Sequence, residues 1–165
     1  MRIIGIDPGL ATTGYGIVDS DGYRCSLVDF GCVRTGAELE SPERLKIIYN
    51  DLHSLLIKYQ PAVLAVEKLF FSRNVTSAMQ VGEARGVAVL AGCHARLPVC
   101  EYTPLQVKQA VVGYGRAEKQ QVQHMVRVLL ALKVIPRPDD AADALAVAIC
   151  HAHSGNGYGL RNNYV

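Results

Sequence analysis

Arg2-Ile3-Ile4-Gly5-Ile6-Asp7-Pro8-Gly9 is the stretch around which the remaining sequence is read. Its apolar, β-branched run is too short for a helix and suits a buried strand. The run ends on a carboxylate, and Pro8-Gly9 then turns the chain. Asp7 is thus expected at the carboxyl end of a core strand, rigidly held and beside backbone that can be approached closely. An aspartate before Pro-Gly is also an ordinary turn cap, so this stretch leaves both readings open. Other carboxylates reaching the same place would decide between them.

The chain of 165 residues suits one domain with a real core. Half of its residues are hydrophobic and 19% are charged, the balance of a soluble globular protein. No apolar run approaches the roughly 18 residues of a membrane span, and the first ten residues read as a strand rather than a signal peptide. The five cysteines (Cys25, Cys32, Cys93, Cys100, Cys150) form no C-x-x-C pair and sit mostly in apolar runs. They read as reduced core residues of a cytoplasmic protein, not as a disulfide framework or a zinc site. The net charge of +2 excludes little, but its distribution is uneven. Between Tyr102 and Pro138, Lys108, Arg116, Lys119, Arg127, Lys133 and Arg137 face only Glu118. Such a stretch is either a phosphate-binding face or a solvated helical one.

Gly14 to Val18 reads as a second strand, Ser20-Asp21-Gly22 as a hairpin turn, and Tyr23 to Arg34 as a third strand. A helix opens at Glu40 or Ser41, buries Leu45, Ile48, Leu52, Leu55 and Leu56, and stops at Gln60-Pro61. Ala62 to Glu67 is a further core strand, and it too ends on a carboxylate. A looser segment from Phe70 to Thr76 precedes a helix from Ser77 to Ala95. A short strand (Leu97 to Tyr102) leads to a helix from Thr103-Pro104 through Ala110. Gly113-Tyr114-Gly115 interrupts the chain before a helix from Ala117 to Leu132. Pro136 and Pro138 mark a loop ahead of the last helix, Asp139 to Ala152. This order predicts an α/β fold, a five-stranded mixed sheet flanked by helices, with tight-turn neighbours antiparallel and crossover neighbours parallel.

Asp7 and Glu67 then close adjacent parallel strands, where open α/β sheets place their sites. Asp143 lies in Ala141-Ala142-Asp143-Ala144-Leu145-Ala146-Val147, apolar all round, where an unpaired charge would cost several kcal/mol. Asp140 is one turn earlier and can point the same way. Asp139 and Asp140 both suit a helix start, where the dipole favours negative charge. Four carboxylates with no cation in their own runs suggest a hard divalent metal, Mg²⁺ or Mn²⁺. Two such ions can activate a water and stabilise the leaving oxygen of a phosphodiester. Structural calcium is the competing reading, weakened by the lack of a loop-type ligand array.

With these pieces in order, the sequence resembles the RuvC family of Holliday-junction resolvases, which have the RNase H-like fold. The matching stretches are Gly5-Ile6-Asp7-Pro8-Gly9, Thr13-Gly14-Tyr15-Gly16, Glu67 with Phe70, Ala84-Arg85-Gly86, Gln106-Val107-Lys108-Gln109, Val112-Gly113, Lys119 and Asp140-Ala141-Ala142-Asp143-Ala144-Leu145. The resemblance implies a nuclease domain over residues 1–153, followed by a flexible tail over 154–165. It implies a homodimer that nicks a four-way DNA junction symmetrically, in recombination and repair, in cooperation with a branch-migration motor. Asp7, Glu67, Asp140 and Asp143 would be the metal-binding catalytic carboxylates, with Mg²⁺ (two per site, Mn²⁺ substituting) as cofactor. Asp139 matches no catalytic position and reads as a cap. His151 and His153 read as helix-dipole partners or surface residues rather than ligands. Lys119 would stabilise charge on the scissile phosphate and Lys108 would position the DNA backbone. Arg73, Arg85 and Arg116 are further candidate DNA contacts, each equally readable as plain surface. Of Phe70 and Phe71, the family pattern favours Phe70 for stacking on an unpaired base. Ala78, Gly82 and Gly86 recur at four-residue spacing, which suits either dimer packing or packing on the chain's own sheet. The rival functions are a junction-binding scaffold without catalysis and an actin-like or sugar-kinase-type ATP-dependent phosphotransferase. A single domain of this length lacks the second lobe that the phosphotransferase would need.

Overall fold

The computed structural model describes residues 1–69 and 75–154, so the expectations for Phe70, Phe71, Arg73 and the chain beyond Ser154 lie outside the described residues. The apolar opening forms β1 (Arg2–Asp7), followed by β2 (Thr12–Ser20) and β3 (Cys25–Arg34). Then come α1 (Ser41–Tyr59), β4 (Val63–Glu67), α2 (Val75–His94) and β5 (Val99–Tyr102). Three helices complete the order: α3 (Pro104–Val112), α4 (Lys119–Leu129) and α5 (Asp139–Ser154). The strands form one sheet in the order β3-β2-β1-β4-β5. β1 pairs antiparallel with β2 and parallel with β4, as the tight turn and the helical crossover require.

Side-chain alternation sorts the sheet into two faces. Ile4, Ile6, Ile17, Leu64 and Val66 pack with Ile48, Leu52 and Leu56 of α1 and with Ala84, Ala88 and Ala91 of α2. Ile3, Val18, Val63 and Ala65 point to the opposite face, against α5 and the residues of α3 and α4 that pack with it. Asp7 follows Ile3 and Gly5 in register, and Glu67 follows Val63 and Ala65, so both carboxylates project on the α5 side.

On that side three positions of β1 and β2 carry no side chain: Gly5, Gly14 and Gly16. A Cβ on Gly5 would lie 2.1 Å from the carbonyl oxygen of Ala144, and one on Gly14 would lie 2.1 Å from that of Asp140. These glycines let the backbone of α5 rest directly on β1 and β2. Gly14 is the cross-strand partner of Asp7, so the start of α5 is pressed against the strand end that carries the first carboxylate.

Local signals set the helix ends. Thr103 caps α3 through a reciprocal capping box with Gln106, and Gln60, in the left-handed region, stops α1. The stripe Ala78–Gly82–Gly86 is divided rather than shared. Ala78 is buried, a Cβ on Gly82 would meet Leu69 at 3.7 Å, and Gly86 faces open space.

Candidate active site

The carboxyl ends of β1 and β4 open into a cavity of about 190 Å³. Asp7, Glu67, Asp143, Lys108 and Lys119 line it, with an apolar wall of Pro104, Val107, Val122, Ala146 and Val147. Five elements contribute: β1, β4, α3, α4 and α5. Pro8-Gly9 turns the chain after Asp7, and the buried Thr13 hydroxyl fixes that turn by donating to the Gly9 carbonyl at 2.7 Å. Asp140 does not line the cavity. It approaches Asp7 from the side of β2 and β3, close enough for its charge to act on both Asp7 and Cys32.

The electrostatics record the crowding of negative charge. Burial, together with the charges of Asp143, Glu67 and Asp140, pushes the Asp7 carboxyl up to about 8, with Lys119 partly offsetting them. Burial and Asp143 raise Glu67, which Lys108 partly offsets. Burial also raises Asp143, opposed by the adjacent Lys119 ammonium. A group of acids that hold one another's protons on is chemically suited to a hard cation, which would remove the repulsion. Among the described residues, no three His, Cys, Asp or Glu side chains are gathered into a ready-made metal cage. Mg²⁺ does not need one, because it keeps several waters and takes one or two carboxylates together with substrate phosphate.

Several expectations change on contact with the structure. Asp143 has a cationic partner after all: Lys119 Nζ lies 2.9 Å from its Oδ2. The partner comes from α4, so it could not be seen in the run around Asp143. His151 is neither a surface residue nor a dipole partner. It is 5% exposed, burial lowers its pKa and favours the neutral ring, and its Nδ1 lies 2.7 Å from the Tyr102 hydroxyl. His153 Nδ1 meets the Ala110 carbonyl at 3.1 Å. Cys93 is exposed rather than a core residue. Arg116 is exposed and does not line the cavity.

Arg85 is not a plain surface residue either. Its Nε donates to the Glu67 carbonyl at 3.3 Å and its guanidinium pairs with Glu101, so α2 braces the end of β4. Sequence reasoning assigned no role to Glu101; the one pointer was Arg85, inside a stretch that matched the family. Gln123 went unnoticed as well. It is 4% exposed, and its Nε2 has no hydrogen-bond partner among the described residues.

The comparisons with known proteins bear on this arrangement. Residues 3–151 match the family model described as crossover junction endodeoxyribonuclease RuvC. The crossover junction endodeoxyribonuclease RuvC of Heliobacterium modesticaldum is 61% identical over 154 residues, covering 93% of this chain and 95% of that protein. The protein of the same name from Desulfitobacterium hafniense is 58% identical over 156 residues, covering 94% of each. Among solved structures, T. thermophilus RuvC in complex with Holliday junction substrate superposes with a TM-score of 0.90 at 39% identity, over 94% of this chain and 95% of that one. The fold is therefore RNase H-like, as the order of elements and the five-stranded mixed sheet predict. The family match begins in the strand that carries Asp7 and runs through the helix that carries Asp140 and Asp143. The chain belongs to the RuvC family of crossover junction endodeoxyribonucleases.

Proposed function

We propose that this protein is a divalent-metal-dependent endonuclease that resolves four-way DNA junctions by paired, symmetric nicks. The observation that carries this reading is the convergence of Asp7, Glu67 and Asp143, with Asp140 behind them, on a cavity that also receives Lys108 and Lys119. Membership of the family supplies the substrate class.

In this reading Asp7, Glu67, Asp140 and Asp143 hold Mg²⁺, two ions per site, with Mn²⁺ able to substitute. Bound there, the metal supplies an acidified water as nucleophile and positive charge for the leaving oxygen. The chain's own residues do the rest. The strand ends fix Asp7 and Glu67 so that no reorganisation is needed during the reaction. Lys119 meets the charge that builds on the scissile phosphate, and the cut leaves a 5′-phosphate and a 3′-hydroxyl that a ligase can seal. Lys108, on α3 at the opposite wall, orients the DNA backbone. The apolar wall limits water beside the reacting phosphate.

Arg116 is proposed as an outer backbone contact, which its exposure permits. Phe70 is a proposed DNA contact on the family pattern alone, and Arg73 is one for its charge alone. The same pattern supports cooperation with a branch-migration motor and a cytoplasmic location; no helix among the described residues is long and apolar enough to cross a membrane. A homodimer is supported by the outward face of α2, where Met79 is 65% exposed, Leu90 is 48% exposed, and Gly86 between them leaves room for a second backbone.

A synthetic four-way junction tests the proposal directly. Wild type is expected to cut it with Mg²⁺ and not with chelator, while Asp7→Asn binds the junction but does not cut. Cleavage by Asp7→Asn at the wild-type rate would overturn the site assignment. Absence of cleavage by wild type under every divalent metal would favour a non-catalytic scaffold.

A further inference from the structure

Lys119 stands between two carboxylates. Its Nζ lies 2.9 Å from Asp143 Oδ2 and 3.6 Å from Asp139 Oδ2. Asp139 is the first residue of α5 and Asp143 follows four residues later, so the two lie one above the other on the same face of the helix. Lys119 is the first residue of α4 and reaches both from across the helix–helix contact. The Arg137 guanidinium pairs with Asp139 from its outer side. The buried Gln123, one turn along α4 from Lys119, also approaches Asp139.

Asp143 cannot serve Lys119 and a divalent cation equally. An ammonium within 3 Å of a carboxylate repels a metal on that carboxylate and occupies one of its lone-pair directions. When metal arrives, Lys119 has to give up Asp143. Without a second acceptor the flexible side chain would gain rotamer freedom in solvent and would lose its position beside the substrate. Asp139 offers that acceptor a short displacement away, with its Oδ2 already 3.6 Å from Nζ. We propose that Asp139 is a positioning residue that takes Lys119 over from Asp143 as the metal binds, relieving competition for Asp143 and holding the ammonium where the scissile phosphate arrives. The inference rests on the metal reading of Asp7, Glu67, Asp140 and Asp143, and it gives Asp139 a task beyond capping.

The test is a double-mutant cycle on metal binding, read by calorimetry with Mn²⁺ and Mg²⁺ on the full-length protein without DNA. The Asp139 side chain is 42% exposed and asparagine matches its shape, so Asp139→Asn should fold normally. In that variant Lys119 is left to Asp143, and metal affinity is expected to fall about fivefold. Lys119→Met removes the competitor and should bind metal at least as tightly as wild type. Asp139→Asn added to Lys119→Met should then change affinity less than about twofold, because an exposed carboxylate acting only at a distance is screened by salt. Single-turnover cleavage at saturating metal supplies a second readout. Asp139→Asn should slow it about fivefold with junction affinity unchanged, and Asp139→Glu should restore most of the rate. Equal losses of metal affinity in both backgrounds would overturn the proposal, as would wild-type affinity in Asp139→Asn. If wild type binds no metal while Asp7→Asn behaves identically, the metal reading itself fails and this inference falls with it.

Discussion

One face of the central sheet meets α1 and α2 through large side chains, Ile4, Ile6, Ile17 and Leu64 against Ile48, Leu52 and Leu56. The other meets α5 through Gly5, Gly14 and Gly16, with Ala144 and Leu145 at backbone distance. The first arrangement is a hydrophobic core of ordinary thickness, whose stability comes from apolar area removed from water. It tolerates changes of shape because side chains can repack. The second also buries apolar side chains, Ile3, Val18, Val63 and Ala65 among them, but at its glycines it has no side-chain layer to adjust, and there it places charged groups. Where α5 rests on the strands, its Asp140 and Asp143 are set against Asp7 and Glu67 with little freedom. The crowding that raises Asp7 follows from that closeness. A sheet face can thus add precise placement of charge to burial where glycines replace its side chains.

Glu67→Gln should break the charged face most severely. It keeps the shape and removes one acidic oxygen donor, so cleavage is expected to fall about 10³-fold, roughly 4 kcal/mol of transition-state stabilisation. Junction affinity and melting temperature should be nearly unchanged. A variant that lost binding and cleavage in parallel would show that Glu67 supports structure, and the distinction between the faces would fail at that residue.

A matched pair of substitutions compares the faces directly. Leu52→Ala empties space on the α1 side and should cost about 2–5 kcal/mol of stability, while the folded fraction cuts at close to the wild-type rate. Gly14→Ala puts a methyl against the Asp140 carbonyl, which cannot yield without moving the start of α5. It should lower cleavage per folded molecule by about tenfold or more, whatever it does to stability. Urea unfolding together with single-turnover rates separates the two outcomes.

A smaller effect concerns pH. Asp7 titrates near 8 in the fold but at about 4 in an unfolded chain. Between those values the native state holds a proton that the unfolded state has released. Stability of the metal-free protein should therefore decline as pH rises from about 4 to about 8, then level off. Asp7→Asn removes the Asp7 share of that decline, while Glu67 and Asp143, also raised, keep theirs. In chelator the variant should melt several degrees above wild type near pH 8 and close to wild type near pH 4.5. Equal melting temperatures across the range would mean that Asp7 is not crowded by its neighbours.

Lys108→Ala should give the mildest change. Binding should weaken modestly for every junction sequence, with the slope of log affinity against log salt shallower by about 1. Cleavage of bound junction should persist.

Much of this was legible before any coordinates. The apolar run into Asp7, the strand ending on Glu67 and the exceptional Asp143 pointed to a convergent acidic site, and the ordered family stretches named its class. Other features lay beyond any reading of runs and spacings. Lys119 reaches Asp143 and Asp139 from a different helix, and Arg85 reaches Glu67 and Glu101 across the sheet edge. His151 looked like an exposed helix end but is buried against Tyr102. The four-residue stripe on α2 suggested one packing face, yet its members face different surroundings.

The sequence by itself determined the order of the elements, the parallel pairing of β1 with β4 and, as candidates, Asp7, Glu67 and Asp143. Each of these depends on local periodicity, turn chemistry or the cost of a charge in an apolar run. Only the tertiary structure decided which cations meet those carboxylates, and that Lys119 is shared between Asp139 and Asp143. Ion pairs across helices depend on where two rigid elements come to rest. That resting place is set by Gly5, Gly14 and Gly16, which let α5 lie directly on the strands and leave α4 to pack on α5.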